Sequence, residues 1–289
     1  MAGISAKDVK ALRDSTGAGM MDCKRALADA ESDVEKAMEF LRQRGLSKAG
    51  KRAGRETSEG KVEYSIAGGR GTLIELGCET DFVAKTPDFQ KLAHGVAEAV
   101  AAAGSLADVE AALAASMDGS TVGDVITAAI AKVGENIQLL RVATADVTGV
   151  TNGYIHGLGK LGVLVALETD QAGDSPVAVA RDIAMHVAAH DPTPLAVDRD
   201  GISPEIVEKE RAFLTKQALD SGKPAEVVEK MVEGRLNKFF SANCLLEQGF
   251  VKDPDKSVRD ILAEASKAAG GDIKVASFVR FKLGEAASE

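Results

Sequence analysis

The stretch GRGTLIELGCETD, residues 69–81, is echoed ninety positions later by GKLGVLVALETD, residues 159–170. Each closes a strand-like apolar run on a Glu-Thr-Asp corner, and each is followed by a helix in a shared frame, LAHGVAEA (92–99) and IAMHVAAH (183–190). A strand–strand–helix order met twice points to two related α/β halves. Other runs of period two, KVEYSI, IQLLRVATADV, GYIHG and DIKVASFVRFKL, supply further strands, with alanine-rich helices between some of them. The fold class this implies is α+β: a duplicated core with antiparallel sheets, its N-subdomain at 55–140 and its C-subdomain at 141–289.

Outward from the core, helical signals take over. Ser5 and Asp8 form a capping box, with Ile4 and Val9 placed as a hydrophobic staple, so a helix starts there and carries Val9 and Leu12 inward. STGAG (15–19) breaks it, MMDCKRALADA continues as a second helix, and Ser32 with Glu35 caps a third. Val34, Met38 and Leu41 recur at helical spacing there, and Gly45 ends it. Between Arg42 and Arg55 stand Arg42, Arg44, Lys48, Lys51, Arg52 and Arg55, no acidic residue and three glycines. This reads as a mobile, solvated linker that closes an N-terminal three-helix module at 1–54, and no aromatic is interleaved for base stacking. In the second half, Ser203-Pro204-Glu205 opens one helix and DSGKP (220–224) stops it at Gly222 and opens another, giving a helical, coiled-coil hairpin at 202–241. Ile206, Phe213, Val228, Met231, Val232, Leu236 and Phe239 form its apolar stripes, which mostly pack on each other.

Composition narrows the function. The 289 residues carry a formal charge of −9, which argues against a general nucleic-acid binder. Three scattered cysteines, Cys23, Cys78 and Cys244, read as reduced thiols. With no signal pattern and no membrane-length apolar run, a cytoplasmic protein without a membrane partner is expected. Phosphate-loop, serine-hydrolase and zinc-protease spacings are missing, so no catalytic residue is assigned and no enzyme is expected. His186 and His190 stand at i, i+4 with Asp191 adjacent, a legitimate metal spacing, but no third ligand is in view and packed or capping histidines are the commoner outcome. Neither a metal nor a cofactor is expected. GGRG (68–71) is a turn between strands with no helix after it, and Glu79 with Asp81 has no nucleophile nearby.

One feature resists these bland readings. In ELGCETDFVAK (75–85), Phe82 directly follows Asp81 where a turn is due, in a chain with nine phenylalanines and no tryptophan. A large apolar side chain on a turn is buried either in its own body or in a partner's pocket.

Two long stretches, VKALRDSTGAGMMDCKRALADAESDVEKAMEFLRQRG (9–45) and ELGCETDFVAKTPDF (75–89), resemble the signatures of bacterial elongation factor Ts. GKPAEVVEKMVEGRLNKF, IAMHVAAH and SFVRFKLGE resemble its later segments, in the same order and over almost the whole chain. The resemblance implies a guanine-nucleotide exchange factor that binds elongation factor Tu and promotes GDP release by disturbing its magnesium site. It also implies that the helical module is of the ubiquitin-associated type. It places Thr80, Asp81, Phe82 and Val83 at the partner's magnesium region, His156 on a partner helix, and Arg13, Met20, Met21 and Lys24 at the module's contacts. The further C-terminal helix of some members has no counterpart after SFVRFKLGE. From the residues alone, Met20 and Met21 would be core, and Arg13, Lys24 and His156 solvated. An adaptor with a ubiquitin-associated-like module and no exchange activity is the competing reading.

Overall fold

The computed structural model describes residues 4–67, 69–106, 108–220 and 224–285. Gly68 of GGRG and Gly222 of the hairpin turn lie outside them. Helix α1 (Ala6–Thr16) begins at the Ser5 cap, whose Oγ accepts the Asp8 N–H at 3.1 Å, and buries Val9 and Leu12. Gly17, at φ 65°, ends it, and α2 (Met20–Asp29) buries Cys23, Ala26 and Leu27.

Helix α3 (Val34–Arg52) departs from the sequence reading in three ways. Its cap is Asp33, which accepts the Lys36 N–H at 3.0 Å, because Ser32 sits in the left-handed region at φ 71°. Val34 and Met38 are exposed, and it is Ala37 that joins Val9, Leu12, Cys23 and Leu27 in the module's core. The helix also runs through Gly45 to Arg52, so most of the basic segment is helix rather than a mobile linker. A helical glycine costs about 1 kcal/mol, and tertiary contact offsets it. Gly45 lies against Ala131, Ala49 packs on the core of the first half, and Arg42 pairs with Asp124 at 3.5 Å.

The first half comprises β1 (Glu59–Ala67), β2 (Arg70–Cys78), α4 (Asp81–Ala84), α5 (Pro87–Ala103), α6 (Val109–Leu113), the two-residue strands β3 (Ser116–Met117) and β4 (Ser120–Thr121), α7 (Val122–Val133) and β5 (Ile137–Ala145). The second comprises β6 (Gly149–His156), β7 (Leu161–Glu168), α8 (Asp174–Ala189), the hairpin α9 (Pro204–Leu219) and α10 (Ala225–Asn243), β8 (Gly249–Phe250), β9 (Asp253–Ser257), α11 (Val258–Ala269) and β10 (Lys274–Lys282). Two three-stranded antiparallel sheets result, ordered β1-β2-β5 and β10-β7-β6, with the repeated strands β2 and β7 central in each, beside the two-stranded pairs β3-β4 and β8-β9. One face of the first sheet packs Ile74 and Leu76 under α5 and α7, and one face of the second packs Val163 and Val165 under α8 and α11. The other faces meet, enclosing Val62, Leu73, Leu164, Ala166 and Phe281. Burial on both faces explains why β2 and β7 read as nearly continuous apolar runs.

The duplicated glycines set how closely the sheets approach. A methyl on Gly71 would lie 2.7 Å from Leu164, and one on Gly162 would lie 3.1 Å from Leu73. Each half leaves a gap that the other half's leucine fills. Beside this contact Glu75, 1% exposed, pairs with Arg141 at 2.5 Å and accepts the Gly284 N–H at 3.0 Å. Arg141 in turn donates to the Lys282 carbonyl at 2.8 Å and lies 4.3 Å over the Phe281 ring. Strands β2, β5 and β10 are thereby tied across the sheet interface.

In the hairpin, α9 starts at the Ser203 cap with Pro204 in its first turn. The buried seam is Leu214 and Ala218 against Val228, Val232 and Leu236, with Phe239 packed beside them. Ile206 and Phe213 stand outside it, exposed, so the inward face of α9 is rotated from the expected stripe. Among the described residues, no helix is long and apolar enough to cross a membrane.

Candidate functional site

Strand β2 ends at Cys78, and the chain turns sharply because Thr80 caps the short α4, its Oγ1 accepting the Val83 N–H at 3.3 Å. The segment between α7 and β5 holds this corner in place. Glu135 accepts the Thr80 N–H at 3.0 Å and the Thr80 hydroxyl at 2.7 Å. Asn136 donates its backbone N–H to Glu79 at 2.6 Å and its side-chain amide to the Arg55 carbonyl at 2.8 Å. Arg55 closes the set through an ion pair to Glu79 at 3.2 Å. The Cys78 thiol donates to the Thr80 carbonyl at 3.2 Å, and burial, with the negative charge of Glu135, pushes it up to about 12, so it stays a thiol.

These bonds decide what Glu79 and Asp81 can do. The Asn136 N–H holds the Glu79 carboxyl below its usual range, with Arg55 adding to the effect, so Glu79 is a fixed anion that braces backbone. Asp81 accepts from the Lys85 ammonium at 2.6 Å, which lowers its pKa and keeps it charged at the start of α4. Neither is an acid–base partner of the other. Directly after Asp81 the braced corner presents Phe82, 80% exposed, while Val83 packs partly on the core below. An aromatic ring held in water by a rigid support suits insertion into another surface.

The other assigned residues are also on the surface. Met20 and Met21 are 56% and 61% exposed, so they are not core, and with exposed Arg13 and Lys24 they flank the turn between α1 and α2. His156 is exposed at the end of β6, its Nδ1 3.0 Å from the Tyr154 hydroxyl. His186, by contrast, is fully buried. Its Nδ1 accepts the Val251 N–H at 3.1 Å, which leaves the proton on Nε2, 3.0 Å from the Gln248 Oε1. Burial lowers its pKa and keeps it neutral, and both ring nitrogens are occupied by protein. Among the described residues no group of three His, Cys, Asp or Glu side chains could hold a metal ion.

Sequence reasoning missed Glu135 and Asn136. They lie 55 and 57 residues from the groups they hold, and a Gly-Glu-Asn step after a helix carries no signal of that contact.

A family model described as Elongation factor TS matches residues 79–285. Elongation factor Ts of Syntrophotalea carbinolica is 46% identical over 286 residues, covering 98% of this chain and 93% of that protein. Elongation factor Ts of Clostridioides difficile is 46% identical over 288 residues, with 99% and 94% covered. That of Zymomonas mobilis is 47% identical over 291 residues, again with 99% and 94% covered. Similarity that runs the length of both sheets, the hairpin and the Phe82 corner means that this chain belongs to the elongation factor Ts family of translation elongation factors.

Proposed function

We propose that this protein is a guanine-nucleotide exchange factor that binds elongation factor Tu in the cytoplasm and promotes GDP release by disturbing the magnesium site of its partner. The observation that carries this reading is Phe82, exposed on a corner fixed by Glu135, Asn136 and the Thr80 cap. Bound GDP leaves a GTPase slowly because its phosphates and magnesium are held by a closed set of ligands, so a release factor must bind the opened arrangement more tightly than the closed one. An aromatic ring gains roughly 1.5–3 kcal/mol on burial, and it gains this only where an apolar slot has opened. Each tenfold acceleration needs about 1.4 kcal/mol of such differential binding. Asp81 brings a charge beside the ring, where it perturbs the groups that support the ion. Thr80 and Val83 set the angle of entry.

In this reading residues 1–54 dock through Arg13, Met20, Met21 and Lys24, the halves 55–140 and 141–289 carry the Phe82 corner and His156, and the hairpin 202–241 is an insertion in the second half. No nucleic acid takes part. By linkage, GDP and the factor weaken each other's binding by the same factor. The test is stopped-flow release of fluorescent GDP from elongation factor Tu. Phe82→Ala and Asp81→Ala should each slow stimulated release several-fold with unchanged circular dichroism, and wild-type rates from Phe82→Ala would remove the wedge.

A further inference from the structure

The most exposed large apolar side chain among the described residues is not Phe82 but Leu158, at 86%. A lone exposed leucine is ordinary. This one also sits in the left-handed region, φ 59° and ψ 32°, between Gly157 at φ 59° and Gly159 at φ 96°. A branched L-residue is disfavoured there, whereas glycine is not. The turn thus spends conformational stability to hold a leucine in water.

The turn is also rigidly backed. Gly159 presses on the stem of Lys61, where an added methyl would lie 2.3 Å from Cγ, and the Lys160 N–H donates to the Gly157 carbonyl at 3.3 Å. Lys160 pairs with Glu59, and its own carbonyl accepts the Leu283 N–H at 2.9 Å. Glu59 is the register partner of Cys78, whose thiol bonds the Thr80 carbonyl. The path from Leu158 to the Phe82 corner therefore crosses one ion pair, one strand pairing and one hydrogen bond. Lys160 is also among the charges that act on Asp81. Leu158 and Phe82 rise from the same end of the paired sheets, one from each half.

We propose that Leu158 is a further apolar contact on the surface that engages the GTPase, the second from the two sheet halves, seated in an apolar depression of the same partner that receives Phe82. The inference rests on the exchange-factor reading. It gives each repeat one apolar prong, Phe82 in the first and Leu158 beside His156 in the second, in addition to the contacts of the helical module.

The experiment compares wild type, Leu158→Gly, Leu158→Asn and Phe82→Ala by thermal melting and by the concentration giving half-maximal stimulation of GDP release. Glycine and asparagine both tolerate the left-handed region, so both Leu158 variants should melt at or a few degrees above the wild-type Tm. Both should raise the half-maximal concentration about tenfold, the worth of roughly half of a leucine's burial. Stability and partner engagement would then move in opposite directions, which a purely structural leucine cannot produce. Wild-type half-maximal concentrations in both Leu158 variants, beside a slow Phe82→Ala, would overturn this inference and leave the exchange reading standing. A Tm lowered by several degrees in both variants would overturn it too, by making Leu158 part of its own fold. Failure of the wild-type protein to accelerate release would remove both readings together.

Discussion

The two Glu-Thr-Asp corners of the repeat began from the same strand end and reached opposite states. In the first half, Glu135 follows the left-handed Gly134 that ends α7, and its carboxylate takes both donors of Thr80. In the second half the corresponding connection, from α11 to β10, places Gly271, which has no side chain to offer, after the left-handed Gly270. Gln171 fills that space, its amide 2.3 Å from where a methyl on Gly271 would be, and Thr169 Oγ1 accepts the Gln171 N–H at 3.1 Å. One corner is braced by a carboxylate from the facing connection and presents Phe82; the other lays its own Gln171 against the glycine of the facing connection. Exposure of Phe82 is therefore a property of the brace as much as of the phenylalanine.

A second comparison lies deeper in the core, where the register that pairs Gly71 with Gly162 sets Glu75 of β2 against Ala166 of β7. Converting the first half toward the second with Glu75→Ala should be the costliest change, at about 3–5 kcal/mol, because it leaves Arg141 nearly buried and unpaired. Urea unfolding would show it, and a loss under about 1 kcal/mol would mean that water reaches the guanidinium. Next in size, Glu135→Ala removes the brace as Gly271 does in the other half. We expect about 1–2 kcal/mol of lost stability from the two unpaired Thr80 donors. Stimulated GDP release should slow as well, although Phe82 is intact. Normal release from this variant would show that α4 holds its position without Glu135.

The smallest effect distinguishes the halves by pH. The helix frames align Gly95 with His186, so an acid-sensitive core histidine belongs to the second half alone. Its pKa in the fold is below the ordinary value of 6.5, so as pH falls through 6.5 the unfolded chain takes up a proton that the fold refuses. Stability then declines by at most about 1.4 kcal/mol per pH unit until the folded pKa is reached. Between about pH 7.5 and 5.5 the Tm of the wild type should fall more than that of His186→Gln. Equal falls would assign the acid sensitivity to other groups.

Local chemistry was legible in the sequence, and non-local chemistry was not. The Ser5 cap, the Ser203-Pro204 start and the central strands of both halves follow from caps and period. The course of α3 through Gly45 does not, because its cause is Ala131 and the first-half core, far along the chain. The outward turn of Phe213 and Ile206 has a similar origin, since which face of α9 is buried is settled by α10. At the site, Phe82 declared itself as an aromatic in a turn, whereas Glu135 and Asn136 became visible only when the chain brought them back to Thr80 and Glu79. Leu158 carried no signal of its own, because its left-handed backbone and its exposure are set by the turn between β6 and β7.

The bond from Gly284 to Glu75 spans 209 residues, and β10 pairs with β7 across the whole hairpin insertion. A chain synthesised from its N-terminus must therefore carry β7 with one open edge while the hairpin and α11 are made. Closing so long a loop is slow, and an unpaired apolar strand edge in the meantime is a site for association with other chains. Nascent protein that already contains β7 but not yet β10 should be the species most dependent on chaperones, and arrival of Lys274–Lys282 the event that ends that dependence.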